Sequence, residues 1–293
     1  MMGVDATKDC QGIIVHTVNF DHRGGPAFYA FLPDGGETLK GRANRAGDEN
    51  HLVSILLDHV AAMEGSRWKR RQTSGRAAFP IRVVRDQLGR PYLLLGEYRG
   101  PSISFSEGGG KVWAALCGDE SDIGIDAAAT DEFQGDYPLH RVFHDRELQH
   151  ALRLTGGDLE KASALLWSIK EAAVKALGCA FHLVAPRQVH VYPSVGAHGN
   201  VAELSPQSIQ NVGRVLPSTP VARFVAENEP YNLPVAKLNS AALGRDGGYT
   251  FPVCLSRKVV VRSSIGAGRS LWVRSFPRAK MWLSIALLSC QSR

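Results

Sequence analysis

Three side chains spaced four residues apart point to chemistry: Trp167, Glu171 and Lys175, within Trp167-Ser168-Ile169-Lys170-Glu171-Ala172-Ala173-Val174-Lys175. At 3.6 residues per turn, positions four apart share one face of a helix, so the three form a stripe. Leu165, Leu166, Ile169, Ala173, Ala176 and Leu177 supply apolar faces around it, and Gly178 stands where a helix C-terminal cap belongs. The pattern predicts a helix buried on more than one side, in which an unpartnered carboxylate or ammonium would be costly. The ordinary alternative is an exposed Glu–Lys pair, which stabilises a helix by only ~0.2–0.5 kcal/mol. A second stretch weighs against it: Ile123-Gly124-Ile125-Asp126, an apolar strand ending in a carboxylate. Asp126 and Glu171 together offer hard oxygen donors for a metal ion, and Lys175 adds a cation one turn further along.

The elements that must position these groups are partly legible. Residues 13–18 and 27–32 read as strands around a turn at Gly24-Gly25-Pro26. Residues 48–69 read as a helix, with Leu52, Ile55, Leu56, His59, Val60 and Met63 at helical spacing and Asp48 as its N-cap. Strands are expected at 81–84, 102–106 and 111–117. The Gly108-Gly109-Gly110 run is either an anion-binding nest or a hairpin turn, with the turn preferred. Residues 147–154 read as a helix, Asp158 caps the helix that carries the stripe, and 188–192 returns as a strand. His140 and His144 have helical spacing, but no third ligand is identifiable, and surface histidines are the simpler reading. Residues 194–250 are rich in Gly, Pro, Ser and Asn, without periodicity, and read as an irregular insertion. Strands at 259–262, 271–274 and 281–288 close the chain, with turns at 266–268 and near Pro277. Strands returning after the helix give an α+β fold.

The pairing of Gly124-Ile125-Asp126 with residues 167–175 resembles the two signature motifs of the 4'-phosphopantetheinyl transferases, G-(I/V)-D and W-(S/T/A)-x-K-E-(A/S)-x-x-K. The second motif matches at every defined position, and the 45 positions from Asp126 to Glu171 fit the family. Leu88-Gly89-Arg90-Pro91-Tyr92 resembles its G-(K/R)-P segment. Ser102-Ile103-Ser104-Phe105-Ser106 resembles its N-(I/V)-S-H-S segment, and Phe143-His144-Asp145-Arg146-Glu147-Leu148 its F-x-x-x-E-x segment. The resemblance covers residues 81–193, with a weaker echo at 269–289.

The resemblance implies two pseudo-symmetric α/β halves, residues 1–120 and 121–293, each a small antiparallel sheet with a packed helix, and an active site at their interface. It implies Mg-dependent transfer of 4'-phosphopantetheine from coenzyme A to a serine of an acyl or peptidyl carrier protein, an acidic partner, releasing adenosine 3',5'-bisphosphate. Asp126 and Glu171 would hold the metal, Glu171 and Lys175 would be catalytic, and Arg90, Ser104 and Lys175 would bind coenzyme A. Lys170, about 100° round the helix from Glu171, falls to coenzyme A or to structure. Two positions depart from the pattern: Phe105 replaces a histidine that helps hold a coenzyme A phosphate, and Ala128 replaces a second acid. Mg2+ often needs only one or two protein carboxylates; Glu132 or Asp136 could approach it, and no feature of the sequence shows that either does. The departures leave a second reading, a homologue that binds coenzyme A or a carrier protein without turnover.

Composition is that of an ordinary globular protein: 293 residues, 44% hydrophobic and 21% charged. The formal net charge of +6 suits an anionic ligand or acidic partner and is too small to argue for nucleic acid. The densest positive run, residues 67–76 around Trp68, is as consistent with a solvated helix end as with phosphate binding. Five scattered cysteines without a C-x-x-C pair argue against a zinc site or disulfide framework, and with no apolar leader at the N-terminus a cytoplasmic monomer is expected. The apolar run at 281–288 is too short to span a bilayer. No Walker-type phosphate loop is present.

Overall fold

The computed structural model describes residues 6–8, 13–20, 25–33, 40–63, 80–118, 121–179, 181, 183–192, 247–255 and 269–290. Strands β1 (Ala6–Lys8), β2 (Ile14–Val18), β3 (Ala27–Pro33), β7 (Ile103–Gly108) and β8 (Lys111–Cys117) form one antiparallel sheet in the order β1-β2-β3-β8-β7. Between β3 and β7 the chain makes helix α1 (Lys40–Ala62) and a three-stranded sheet of β4 (Ile81–Arg85), β5 (Pro91–Leu95) and β6 (Tyr98–Arg99). A second five-stranded antiparallel sheet runs β10-β11-β12-β13-β9. It is built from β9 (Asp122–Ala129), β10 (Val189–Val191), β11 (Tyr249–Leu255), β12 (Arg269–Arg278) and β13 (Met281–Cys290). Helices α2 (Asp145–Leu154) and α3 (Leu159–Ala176) lie between β9 and β10 in the chain.

The apolar residues sort into layers. Val18, Ala27, Tyr29, Trp113 and Ala115 of the first sheet pack against Ile123, Ile125, Phe276, Leu283 and Ile285 of the second. The other face of the first sheet, with Phe28, Ala30, Ala114 and Phe105, meets Leu52, Val53, Leu56 and Val60 of α1. The other face of the second sheet, with Ala128, Val273, Trp282 and Ala286, meets Leu165, Ile169, Ala172 and Ala173 of α3. Helix, sheet, sheet and helix therefore stack in that order. β13 is covered on both faces and has neighbours on both edges, which is why residues 281–288 are apolar on both faces, Ser284 excepted, rather than alternating.

At one border of the two sheets the edge strands β7 and β9 meet. The N–H groups of Ile123, Ile125 and Ala127 donate to the hydroxyls of Ser102, Ser104 and Ser106 at 3.2, 3.1 and 3.2 Å. Serine at every second position of one strand thus satisfies every second backbone N–H of the other, the ones that point to its open edge, following the period of two.

Several expectations change. The first helix starts at Lys40, not at Asp48, which lies inside it; its polar first turns extend the helix ahead of the apolar stripe that begins at Leu52. The strand bearing Asp126 continues to Ala129, because β13 pairs with it along its whole length. β11 begins at Tyr249, within the stretch read as irregular; its Pro252 speaks against a central strand by composition, yet it is paired by β10 and β12. Gly109 and Gly110, both with φ above +60°, make the hairpin turn from β7 into β8. His140 and His144 do not share a helix, because the helical turn at Leu139–Val142 ends before His144, the N-cap of α2. The basic run at 67–76, the strand at 259–262 and the turn at 266–268 lie outside the described residues.

Candidate active site

α3 begins at Asp158, whose carboxylate accepts from the Lys161 N–H at 2.9 Å, and is closed by Leu177 and by Gly178 at φ +70°. Over residues 162–177 every residue is buried except Trp167, Glu171 and Lys175. The stripe is therefore the one line along which this stretch opens from the core, and it faces Asp126.

Each remaining residue of the 167–175 stretch has a structural partner. Ser168, fully buried, shares a hydrogen bond of 2.7 Å with Ser284, which is 2.8 Å from Ser275. Ile169, Ala172, Ala173 and Val174 are core. Lys170 is fully buried; its ammonium donates to the Pro186 and Val189 carbonyls at 2.9 and 2.6 Å and pairs with Glu147 at 2.8 Å. Lys170 is thus structural, the second of the two roles open to it from the sequence. Glu147 also accepts from the N–H groups of His144 and Val191, so one ion pair ties α2, α3 and β10 together.

Gly124 explains how the strand reaches the helix: a Cβ there would collide with the Ala172 carbonyl and the Ala176 amide. With that approach, Lys175 donates to Asp126 Oδ1 at 2.8 Å and to the Ile125 carbonyl at 3.1 Å, and stands 3.4 Å from Glu171. Ser106 donates to the same Oδ1 at 3.0 Å. Among the described residues Asp126 Oδ2 accepts no hydrogen bond. The Asp126 side chain is 6% exposed, against 27% for Lys175 and 30% for Glu171.

The electrostatics follow from this crowding. Burial pushes the Glu171 carboxyl above its ordinary value and Asp126 adds to the push; Lys175 and the Trp167 indole hydrogen bond offset only part. Burial alone would lower the Lys175 ammonium, but Asp126 and Glu171 outweigh it and hold it above the usual lysine range. Glu132 is also raised, by burial first and then by Asp126, so a third carboxylate feels the same site. The Tyr137 phenol is raised by burial and by Glu132 and Glu171. Two carboxylates against one ammonium leave negative charge uncompensated, with oxygens of Asp126 and Glu171 still able to coordinate. That donor set fits a hard divalent cation.

The other residues singled out in the sequence sit on several elements: Arg90 between β4 and β5, Ser104 and Phe105 on β7, and Ala128 on β9. Arg90 leaves the β4–β5 turn, donates to Asp122 at 2.6 Å, and occupies the space that the missing side chain of Gly178 leaves open. A cation at the C-terminal end of α3 also complements the helix dipole. Ser104 is 4% exposed and sits in the serine seam, bonded to the Ile125 amide. Phe105 points the other way, into the core beneath α1, where the Arg85 guanidinium lies 5.9 Å from its ring centre and bonds Glu49. Ala128 is packed in the core between the second sheet and α3. Trp167 packs against Phe181 and Phe133.

Sequence reasoning missed Ser106. Its signal was the alternation Ser102-x-Ser104-x-Ser106, which has meaning only once Ile123-x-Ile125-x-Ala127 lies opposite.

A second cluster brings potential ligand atoms of His144, Glu147 and His190 within 4.8 Å of one another. Both oxygens of Glu147 are already engaged, by Lys170, His144 N–H and Val191 N–H. The His144 ring nitrogens face the Arg187 carbonyl at 2.8 Å and the Arg187 guanidinium at 3.3 Å. Glu147 and His144 thus already serve as structural links, with the His190 ring stacked on His144.

Residues 122–215 match the family model described as the 4'-phosphopantetheinyl transferase superfamily. The match spans β9, α2, α3 and β10, and leaves the 88–92 and 102–106 segments outside it. No curated protein matches the chain. Among the described residues no helix is long and apolar enough to cross a membrane.

Proposed function

We propose that this chain, which carries the 4'-phosphopantetheinyl transferase superfamily domain over residues 122–215, transfers 4'-phosphopantetheine from coenzyme A to a serine of an acidic acyl or peptidyl carrier protein. The observation that carries the reading is the open stripe of α3: Glu171 and Lys175 emerge from an otherwise buried stretch, and Lys175 joins them to Asp126, 2.8 Å from its Oδ1 and 3.4 Å from Glu171. In the reaction the serine oxygen forms a bond to the phosphorus on the pantetheine side of the diphosphate. The bond from that phosphorus to the bridging oxygen breaks, and adenosine 3',5'-bisphosphate leaves. Glu171, its carboxyl raised above its ordinary value by burial and by Asp126, accepts the serine proton. Lys175, held charged by its two acidic neighbours, neutralises the departing phosphate.

Mg2+ held by Asp126 and Glu171 would supply charge neutralisation for the diphosphate. Arg90, on the β4–β5 turn, would bind coenzyme A, a role in which an arginine fork suits phosphate oxygens. Ser104 belongs to this half of the proposal only through its place beside Ile125. The proposal also divides the chain into halves at 1–120 and 121–293, supported by the two five-stranded sheets, and puts the site near β7, β9 and α3.

Intact-mass measurement of an apo carrier protein incubated with this protein, coenzyme A and Mg2+ tests the reading. We expect a gain of one phosphopantetheine, abolished by EDTA and reduced by about 10²-fold or more in Glu171→Gln and Lys175→Ala. Measurable coenzyme A binding with no transfer to any of several carriers would support the non-catalytic reading instead. That reading draws on Phe105 and Ala128, which present apolar side chains to the core.

A further inference from the structure

We infer that Ser106 is the positioning residue for Asp126 and decides which oxygen of that carboxylate meets the divalent cation; the inference rests on the function proposed above. The three seam serines look equivalent in sequence, but their bonds differ. Ser102 and Ser104 accept from the Ile123 and Ile125 amides. Ser106 accepts from the Ala127 amide at 3.2 Å and also donates to Asp126 Oδ1 at 3.0 Å. The amide fixes the orientation of the hydroxyl, and the hydroxyl fixes the carboxylate. Both residues are buried, at 6% and 4% exposure, so water does not compete freely for either bond.

Lys175 donates to the same Oδ1 at 2.8 Å. Two donors on one oxygen and, among the described residues, none on the other leave Oδ2 as the coordinating atom. In the proposed reaction Lys175 turns toward the leaving phosphate, and the Ser106 bond is then what keeps Oδ1 engaged and Oδ2 directed at the cation. A hydroxyl partner that orients a ligating carboxylate in this way is typically worth 10–100-fold in metal affinity.

The test uses Mn2+ as the probe for Mg2+, its binding to the full-length protein followed by electron paramagnetic resonance in the presence of coenzyme A. We expect Ser106→Ala to weaken Mn2+ binding by about tenfold or more. Ser106→Thr, which keeps the hydroxyl, should stay near wild type, and Asp126→Ala should abolish binding. Ser102→Ala removes a seam bond that does not touch Asp126 and should leave Mn2+ affinity intact. Where the alanine variant folds poorly, Ser106→Cys keeps the volume with a much weaker donor and carries the same expectation. Equal affinity in Ser106→Ala and wild type would overturn the inference and leave the proposed function standing. An equal loss in Ser102→Ala would overturn it as well, by assigning the effect to seam packing. No Mn2+ binding by the wild type would instead overturn the metal assignment, and the inference with it.

Discussion

Glu171 sits where its charge is disfavoured, and that has a measurable cost. Burial and Asp126 raise its folded-state pKa above the unfolded value of 4.5. The folded state therefore binds this proton more tightly than the unfolded state does. The stabilisation is complete below 4.5 and is lost as pH rises through the window from 4.5 to the raised folded value. Glu171→Gln should consequently raise the urea midpoint at about pH 7, and the gain should fade as the pH is lowered through that window. A variant that is more stable yet inactive would mark Glu171 as a residue kept for chemistry. A loss of stability at neutral pH would mean that its pairing with Lys175 outweighs its desolvation.

At the scale of elements, the position of α3 is fixed by one close approach and one buried ion pair. Gly124→Ala would force the Ala172–Ala176 turn of α3 away from β9, at a cost of about 1–3 kcal/mol. It would also move Lys175 relative to Asp126, so activity should fall more than stability does. Lys170→Met leaves Glu147 buried without its cation and should cost about 3–5 kcal/mol. Adding Glu147→Gln to it should recover part of that loss, since the amide still accepts from Val191 N–H. Urea midpoints of the two single variants and the double variant check this; additive losses would show that the two side chains do not act as a pair.

At the scale of the molecule, the two five-stranded sheets share one core, and neither inner face would be covered without the other. The β7–β9 seam adds hydrogen bonds to that shared surface. The whole layered body should therefore unfold as a unit. Far-UV circular dichroism should report α1 and α3, and tryptophan fluorescence should report Trp113 in the shared core and Trp282 on the α3 side. We expect their urea transitions to coincide. Separated transitions would show that the sheets are independent folding units.

The sequence by itself determined whatever is local and periodic. The stripe Trp167–Glu171–Lys175, the buried faces around it, the Asp158 cap and the Gly178 stop were legible because a helix repeats every 3.6 residues and its ends need particular side chains. The apolar run of β13 and the glycine hairpin after β7 were legible for similar reasons. Only the tertiary structure decided matters that depend on what lies opposite. Lys170 and Lys175 have the same side chain on the same helix, yet one is sealed against Glu147 and the other opens beside Asp126. Ser104 and Ser106 are two residues apart on one strand, yet only Ser106 meets Asp126. β11 was hidden because its proline argues against a strand until β10 and β12 are seen on either side. Periodicity tells which residues share a face; which atoms face them from another element is set by packing across the chain.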